Sequence, residues 1–314
     1  MKAALVFPGQ GSQTVGMGRE LASAFGAARA VFDTVDEALG ERLSETIWNG
    51  PAEDLTLTRN AQPALMAVSL AALAALVEAG ATFPGRVAFV AGHSLGEYSA
   101  LAAAGAIDVA DAARLLRIRG DAMQGAVPVG LGAMAAILGL DLAAVEAVAA
   151  EAAQTEVCSV ANDNSDGQVV ISGHVAAVDR AIELAKTRGA KRAVPLVVSA
   201  PFHCALMSPA AAAMERALAA VTIHSPAIPV VANVTAAPVR DPGEIGRLLV
   251  GQVTGRVRWR ETMAAMAAAG VDTVVEVGAG KVLTGLAKRA LPGAACFALG
   301  APDDIPPILA ALGR

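Results

Sequence analysis

Short apolar runs and longer amphipathic stretches alternate along the chain. The first run, residues 3–7, predicts a buried strand, and helical spacing follows near 18–24 and 28–39. A long apolar helix is expected over 63–78, with Pro63 in its first turn, where a missing N–H costs nothing. A second buried strand, 87–91, runs directly into Gly92-His93-Ser94-Leu95-Gly96, and helices are expected over 97–104 and 109–123. Strands separated by helices imply a parallel sheet covered on both faces.

The pattern changes between 127 and 198. Gly130-Leu131-Gly132 leads into strand 133–140, helix 142–153, strand 157–161, a polar turn at 162–167, strand 168–172, helix 175–188 and strand 193–197. That order, βαββαβ, is the ferredoxin-like split unit. It offers no nucleophile or metal pattern, so it is expected to be a small inserted domain forming one wall of a cleft. The alternation then returns with helix 206–220, strand 230–234, helices 242–252 and 259–268, strand 273–277 and helix 281–291. The expected fold class is therefore α/β. An α/β-hydrolase-like large domain with a parallel sheet is built discontinuously from 1–126 and 199–314, with a ferredoxin-like small domain at 127–198.

A chain of 314 residues is long enough to bury roughly three quarters of its unfolded surface. Much of its apolar content is alanine, and the apolar runs break before the ~18–20 residues of a membrane span. No membrane helix is expected, and the first run is too short for a secretory signal, so the expected location is cytoplasmic. Cys158, Cys204 and Cys296 are scattered, with no Cys-x-x-Cys pair, which suggests neither a disulfide framework nor a zinc site. A net charge of −5 with few aromatic residues argues against a nucleic-acid surface.

Gly92-His93-Ser94-Leu95-Gly96 matches Gly-x-Ser-x-Gly between a predicted strand and a predicted helix, the setting of a nucleophile elbow. The sharp turn leaves the Ser94 hydroxyl exposed at a helix N-terminus, where backbone N–H groups can stabilise an oxyanion. A serine nucleophile needs a base, and the chain has four histidines. His93 adjoins Ser94 and is expected to support the turn, while His174 and His224 fall in a turn and a loop expected to be solvated. His203, in Ser199-Ala200-Pro201-Phe202-His203-Cys204, lies where the chain returns from the small domain to the large one and is the candidate base. In Phe7-Pro8-Gly9-Gln10-Gly11-Ser12-Gln13, the glycines around Gln10 let a backbone N–H approach a ligand, a candidate second oxyanion donor; no phosphate-loop spacing accompanies it. Arg114, Arg117 and Arg119 share one predicted helix. Arg119, at its end beside Gly120, is either a solvated charge or a two-pronged clamp for a substrate carboxylate, and position alone leaves both open.

Together these residues resemble the malonyl-CoA:acyl carrier protein transacylase family over nearly the whole chain. Phe7-Pro8-Gly9-Gln10-Gly11-Ser12-Gln13 is similar to the family opening, Asn60-Ala61-Gln62-Pro63-Ala64 to its second signature, and Gly92-His93-Ser94-Leu95-Gly96-Glu97 to its nucleophile motif. Arg119-Gly120, Pro201-Phe202-His203 and Val277-Gly278-Ala279-Gly280-Lys281-Val282-Leu283 follow in the family order. The resemblance implies that Ser94 is the acylated nucleophile, His203 its base and Arg119 the binder of the malonyl carboxylate. It implies an oxyanion hole from the backbone N–H groups of Gln10 and Leu95, and a His203 oriented by the main-chain carbonyl of Gln252 in place of an acid. The implied activity is transfer of malonyl from malonyl-CoA to the phosphopantetheine thiol of acyl carrier protein, in fatty acid biosynthesis or another malonyl-using pathway. The enzyme is expected to be a monomer with no metal or bound cofactor. Ala279 replaces a usual proline and Ser165-Asp166 part of a usual Asn-x-Pro-Gly turn near Asn162, departures that touch loop shape.

Two other readings remain open on the residues: a thioesterase or esterase with the same elbow, and an idle carrier-binding scaffold. Phe202 is a candidate for narrowing the space near the substrate α-carbon, favouring malonyl over methylmalonyl. Lys191-Arg192 and Lys288-Arg289 are the candidate basic steps for docking an acidic carrier protein, or else solvated surface charges.

Overall fold

A strand apolar at every position has to be covered on both faces, and the first strand is buried along its whole length. The computed structural model describes residues 2–83 and 85–313. Its strands are β1 (Ala3–Phe7), β2 (Val87–Gly92), β3 (Gly132–Leu138), β4 (Cys158–Ser165), β5 (Gln168–His174), β6 (Arg192–Pro195), β7 (Val230–Val231), β8 (Pro238–Val239), β9 (Thr273–Val277) and β10 (Ala295–Leu299). They form two sheets. The larger has the order β10-β9-β1-β2-β7-β8, parallel from β10 to β7, with β8 antiparallel at the edge. The smaller has the order β4-β5-β3-β6 and is antiparallel throughout, the strand order of a ferredoxin-like βαββαβ unit.

Each face of the large sheet has its own core. Leu5 and Phe7 pack with the helix Thr58–Glu78, while Ala4 and Val6 pack with Trp259, Met263 and Leu286 on the other side. In the small sheet the alternation of β3 decides what meets what. Ala135 and Ile137 face the helices Leu142–Ala153 and Val175–Thr187, and Met134 faces the other way with Ala161 and Val170, against Phe202.

Several elements differ from the sequence expectation. The helix expected from 63 begins at Thr58, so Pro63 lies inside it and removes the N–H that would bond back to the Arg59 carbonyl. Polar Thr58, Asn60 and Gln62 hide that first turn from an apolar pattern, yet Thr58 and Gln62 are buried. By length and composition this helix could cross a membrane, but 83% of its apolar window is buried inside the fold. The polar turn expected at 162–167 is largely strand, because β4 runs on to Ser165. Its buried polar residues are satisfied from far along the chain: Asp163 N–H donates to Val257 O at 2.9 Å, and Arg260 bonds both carboxylate oxygens of Asp163. The helix expected at 206–220 splits into a tight turn, Ala205–Met207, and the helix Ser208–Ala219, while the strand expected at 230–234 pairs only at β7. Edge strand β10 and the short helices Leu43–Asn49, Ala52–Thr56 and Ile305–Leu312 carry no pattern long enough to predict.

Candidate active site

Ligands of open α/β sheets bind beyond the carboxyl ends of the strands. Here β1 and β2 end side by side, with Phe7 opposite Gly92, so the loops 8–13 and 93–95 leave the sheet together. Their approach leaves no room for side chains. A Cβ on Gly92 would lie 1.8 Å from Gly96 backbone atoms, and one on Gly96 would lie 2.3 Å from Phe7 O. Ser94 occupies the left-handed region at φ 53°, a strained turn for a residue with a Cβ. It is pinned from both sides: its N–H donates to Asn233 Oδ1 at 2.8 Å, and its carbonyl accepts from Gln252 Nε2 at 2.9 Å. Asn233 Nδ2 in turn donates to Gly92 O at 2.7 Å.

The helix Gly96–Ala103 starts directly after the elbow. With Ser94 N–H committed, the N–H groups of Leu95 and Gln10 find no acceptor among the described residues. Both residues line the same cavity as Ser94. Gln10 is held across it by a bond from its Nε2 to Thr58 Oγ1 at 3.1 Å.

His203 is 3% exposed, also at positive φ, and places Nε2 2.7 Å from Ser94 Oγ. Its Nδ1 lies 2.9 Å from Gln252 O and 3.2 Å from Gly255 O. Two carbonyls can only accept, so they fix the proton on Nδ1 and leave the Nε2 lone pair towards the serine. Burial, and then the nearby Arg119 charge, push the imidazole down to about 3, which keeps it neutral with the Nε2 lone pair free, though at the cost of basicity.

Arg119 is inside, not on the surface. It is 1% exposed, its Nη1 donates to Gln62 Oε1 at 2.7 Å, and its Nη2 donates to Gln252 Oε1 at 2.9 Å and to Ser94 Oγ at 3.2 Å. Its Nε has no partner, and among the described residues no carboxylate pairs with it. A buried guanidinium held by neutral amides, with an unused donor beside the nucleophile, has the chemistry to receive an anionic group.

These groups surround a cavity of about 300 Å³. Its polar lining includes Gln10, Gln62, Arg119 and Asn162, while Met134, Leu196, Val197, Val198 and Phe202 are apolar lining supplied by the small sheet and the returning chain. All six candidate residues, Ser94, His203, Arg119, Gln10, Leu95 and Gln252, thus converge. His93 does more than brace the turn: it lines the cavity and places Nε2 2.8 Å from Asn164 Oδ1, tying the elbow to β4. His174 is half-buried, its Nδ1 accepting from Val157 N–H at 2.9 Å, and His224 is exposed, both away from the cavity.

The acyl transferase domain family matches residues 4–300. This chain belongs to the acyl transferase domain family. A malonyl CoA-acyl carrier protein transacylase of Bacillus subtilis (strain 168) is 47% identical over 305 residues, which covers 97% of this chain and 95% of the relative. The crystal structure of an acyl-carrier-protein-S-malonyltransferase from Bartonella henselae superposes with a TM-score of 0.98 at 55% identity, covering all of both chains. A malonyl-transacylase solved in complex with its type II PKS acyl-carrier protein superposes with a TM-score of 0.94 at 43% identity, covering 99% of each chain.

Three buried residues of this acyl transferase were given no role from sequence. Gln62 sits in the Asn60–Ala64 stretch, Glu97 follows the elbow glycine, and Asn233 interrupts the apolar run that begins at Val230, so each is a polar residue beside apolar ones, a usable signal. Glu97 Oε2 accepts from Gln252 Nε2 at 2.7 Å and from Asn233 N–H at 3.2 Å. Among the described residues, no group of three or more His, Cys, Asp or Glu is placed to hold a metal ion.

Proposed function

We propose that this acyl transferase carries a malonyl group on Ser94 from malonyl-CoA to the phosphopantetheine thiol of an acyl carrier protein. The observation that carries the reading is Arg119: a guanidinium buried 3.2 Å from the nucleophile, with a free donor and no ion partner, fits an acyl group that ends in a carboxylate. A neutral acyl group leaves that buried guanidinium without a directly bonded carboxylate, an arrangement that costs free energy in a water-poor site.

On this reading the thioester carbonyl points its oxygen to the N–H groups of Gln10 and Leu95, and the malonyl carboxylate meets Arg119. Ser94 Oγ attacks the carbonyl carbon while His203 Nε2 takes its proton, and the proton passes to the departing CoA sulfur. The carrier thiol then enters, gives its proton to His203, and attacks the malonyl-serine ester; the proton returns to Ser94 as the ester breaks. Gln252 keeps the imidazole oriented, and positive φ at Ser94 holds Oγ towards it.

The reading takes 127–198 as a small domain inserted into a large one made of 1–126 and 199–314, with the cavity between them. It takes the enzyme as a cytoplasmic monomer that works without metal or resident cofactor, coenzyme A being part of a substrate. The carrier protein is a partner by analogy with the complexed relative.

Brief incubation with malonyl-CoA or acetyl-CoA, acid quench and peptide mass spectrometry test it. A malonyl adduct on the Ser94 peptide, with little acetyl, is expected. No adduct with intact thioester would overturn the reading, and thioester loss without an adduct would indicate a hydrolase.

A further inference from the structure

The proposed chemistry leaves one buried carboxyl group beside it without a task. Glu97 is 3% exposed, one turn beyond the nucleophile. Two hydrogen bonds join it to the guanidinium, from Arg119 Nη2 to Gln252 Oε1 at 2.9 Å and from Gln252 Nε2 to Glu97 Oε2 at 2.7 Å. We propose that Glu97 is the resting counter-charge of Arg119 and takes up one proton when a substrate carboxylate reaches the guanidinium, so that loading a carboxylated acyl group is coupled to proton uptake. This rests on the malonyl reading above.

The physical ground is that two carboxylates cannot both stay ionised cheaply around one buried cation. Burial already raises the Glu97 carboxyl to about 7, against the lowering effect of its bonds from Gln252 and Asn233 and of the Arg119 charge. A second anion on Arg119 cancels the last of these and lifts it further. The other charged or titratable groups facing this cluster are Arg119 from the helix Val109–Gly125, Tyr98 from Glu97's own helix, and His203, with His93 beyond it. Gln252 and Asn233, from the remaining elements in contact, are neutral. Burial holds His203 near 3 and raises Tyr98, so neither titrates between pH 6 and 8; burial lowers His93. The step forms one O–H bond, on Glu97, with a proton from solvent. Transfer from thioester to serine ester and CoA thiol consumes none, and departure of the malonyl group returns the proton.

The test mixes enzyme at pH 7, in weak buffer with a pH indicator, with malonyl-CoA or acetyl-CoA in a single turnover. Wild type is expected to take up about half a proton per malonyl group and none per acetyl group, since a carboxyl titrating near 7 starts about half ionised. Glu97→Gln is expected to take up none with either donor. Above pH 7 the apparent KM for malonyl-CoA is expected to rise up to about tenfold per pH unit in wild type and to stay flat in Glu97→Gln. Equal uptake with both donors, none in wild type, or uptake surviving in Glu97→Gln would overturn the coupling. Should the variant not fold, the wild-type comparison of donors decides. Mass spectrometry of the same mixtures separates the two ideas: a malonyl-Ser94 ester without proton uptake sinks only the coupling, and the absence of that ester sinks the malonyl reading itself.

Discussion

Replacing Arg119 by alanine separates selectivity from chemistry. On the proposed reading the guanidinium gives a substrate carboxylate its unpartnered Nε and the Nη2 N–H that otherwise rests on Ser94 Oγ, two charge-assisted bonds in a water-poor site. Bonds to a charged partner are worth about 1.5–3 kcal/mol each, so losing both costs roughly 3–6 kcal/mol, or about 10²–10⁴ in kcat/KM for malonyl loading. Acetyl-CoA makes neither bond, so its loading is expected to change by no more than the disturbance of Ser94, whose Oγ also accepts from Arg119. The ratio of malonyl to acetyl loading, read by quenched-flow mass analysis of the Ser94 peptide, should therefore collapse by at least about a hundredfold. Arg119→Lys keeps the charge but not the fork, and should fall between. The alanine variant also strands Gln62 Oε1 and Gln252 Oε1, so its denaturant midpoint has to be measured alongside. Equal loss of malonyl and acetyl loading in a folded Arg119→Ala protein would refute the specificity argument.

Further expectations follow from the elbow, the base and the surface. Gly92→Ala puts a Cβ 1.8 Å from the Gly96 backbone, which cannot yield, so it should destabilise by more than about 3 kcal/mol in urea unfolding; a midpoint near wild type would mean the turn is not held this tightly. Because His203 is pushed down to about 3, the loading rate at saturating malonyl-CoA should show no His203 inflection between pH 5 and 8; an inflection near the ordinary 6.5, lost on replacing His203, would contradict the burial argument. The same depression favours the neutral folded form, so its stability contribution is complete above 6.5 and is lost as pH falls towards about 3, where the unfolded chain binds the proton more readily. Lys191, Arg192, Lys288 and Arg289 are exposed and lack carboxylate partners among the described residues. Reversing all four charges should raise the KM for carrier protein severalfold and leave acylation by malonyl-CoA unchanged; an unchanged KM would place docking elsewhere.

What could be read from the sequence was whatever short-range pattern determines. The elbow is legible because strand, turn and helix are contiguous and their glycines are sterically required. The small sheet is legible because its alternation is regular. His203 could be placed by its position at the return crossing, and Arg119 only by resemblance, since nothing local distinguishes a helical arginine that points inward. Asn162 and Asp163 read as a turn because they are polar, and become strand through partners at Val257 and Arg260. Gln252 shows the limit most clearly. Its main chain orients His203 while its side chain joins Arg119, Glu97 and Ser94, and these partners lie 49 to 158 residues away.

That junction also accounts for a base oriented by carbonyls instead of an acid. Gln252 touches both His203 and Arg119, so a carboxylate in place of its carbonyl would lie in the same buried space as the guanidinium. Opposite charges that close in a poorly polarisable medium attract strongly, and on the proposed reading an acid bonded directly there would occupy the guanidinium that receives the substrate carboxylate. A neutral carbonyl fixes the tautomer and leaves Arg119 without a directly bonded carboxylate. The consequence is a weaker base, because Arg119 opposes the imidazolium that forms as Ser94 attacks. A bound malonyl carboxylate in direct contact with the guanidinium offsets that opposition, whereas with acetyl the nearest negative charge is Glu97, separated from Arg119 by the Gln252 side chain. On the proposed reading, selectivity therefore resides in the activation of the nucleophile as well as in binding, and acetyl transfer is expected to be slow even at saturating acetyl-CoA.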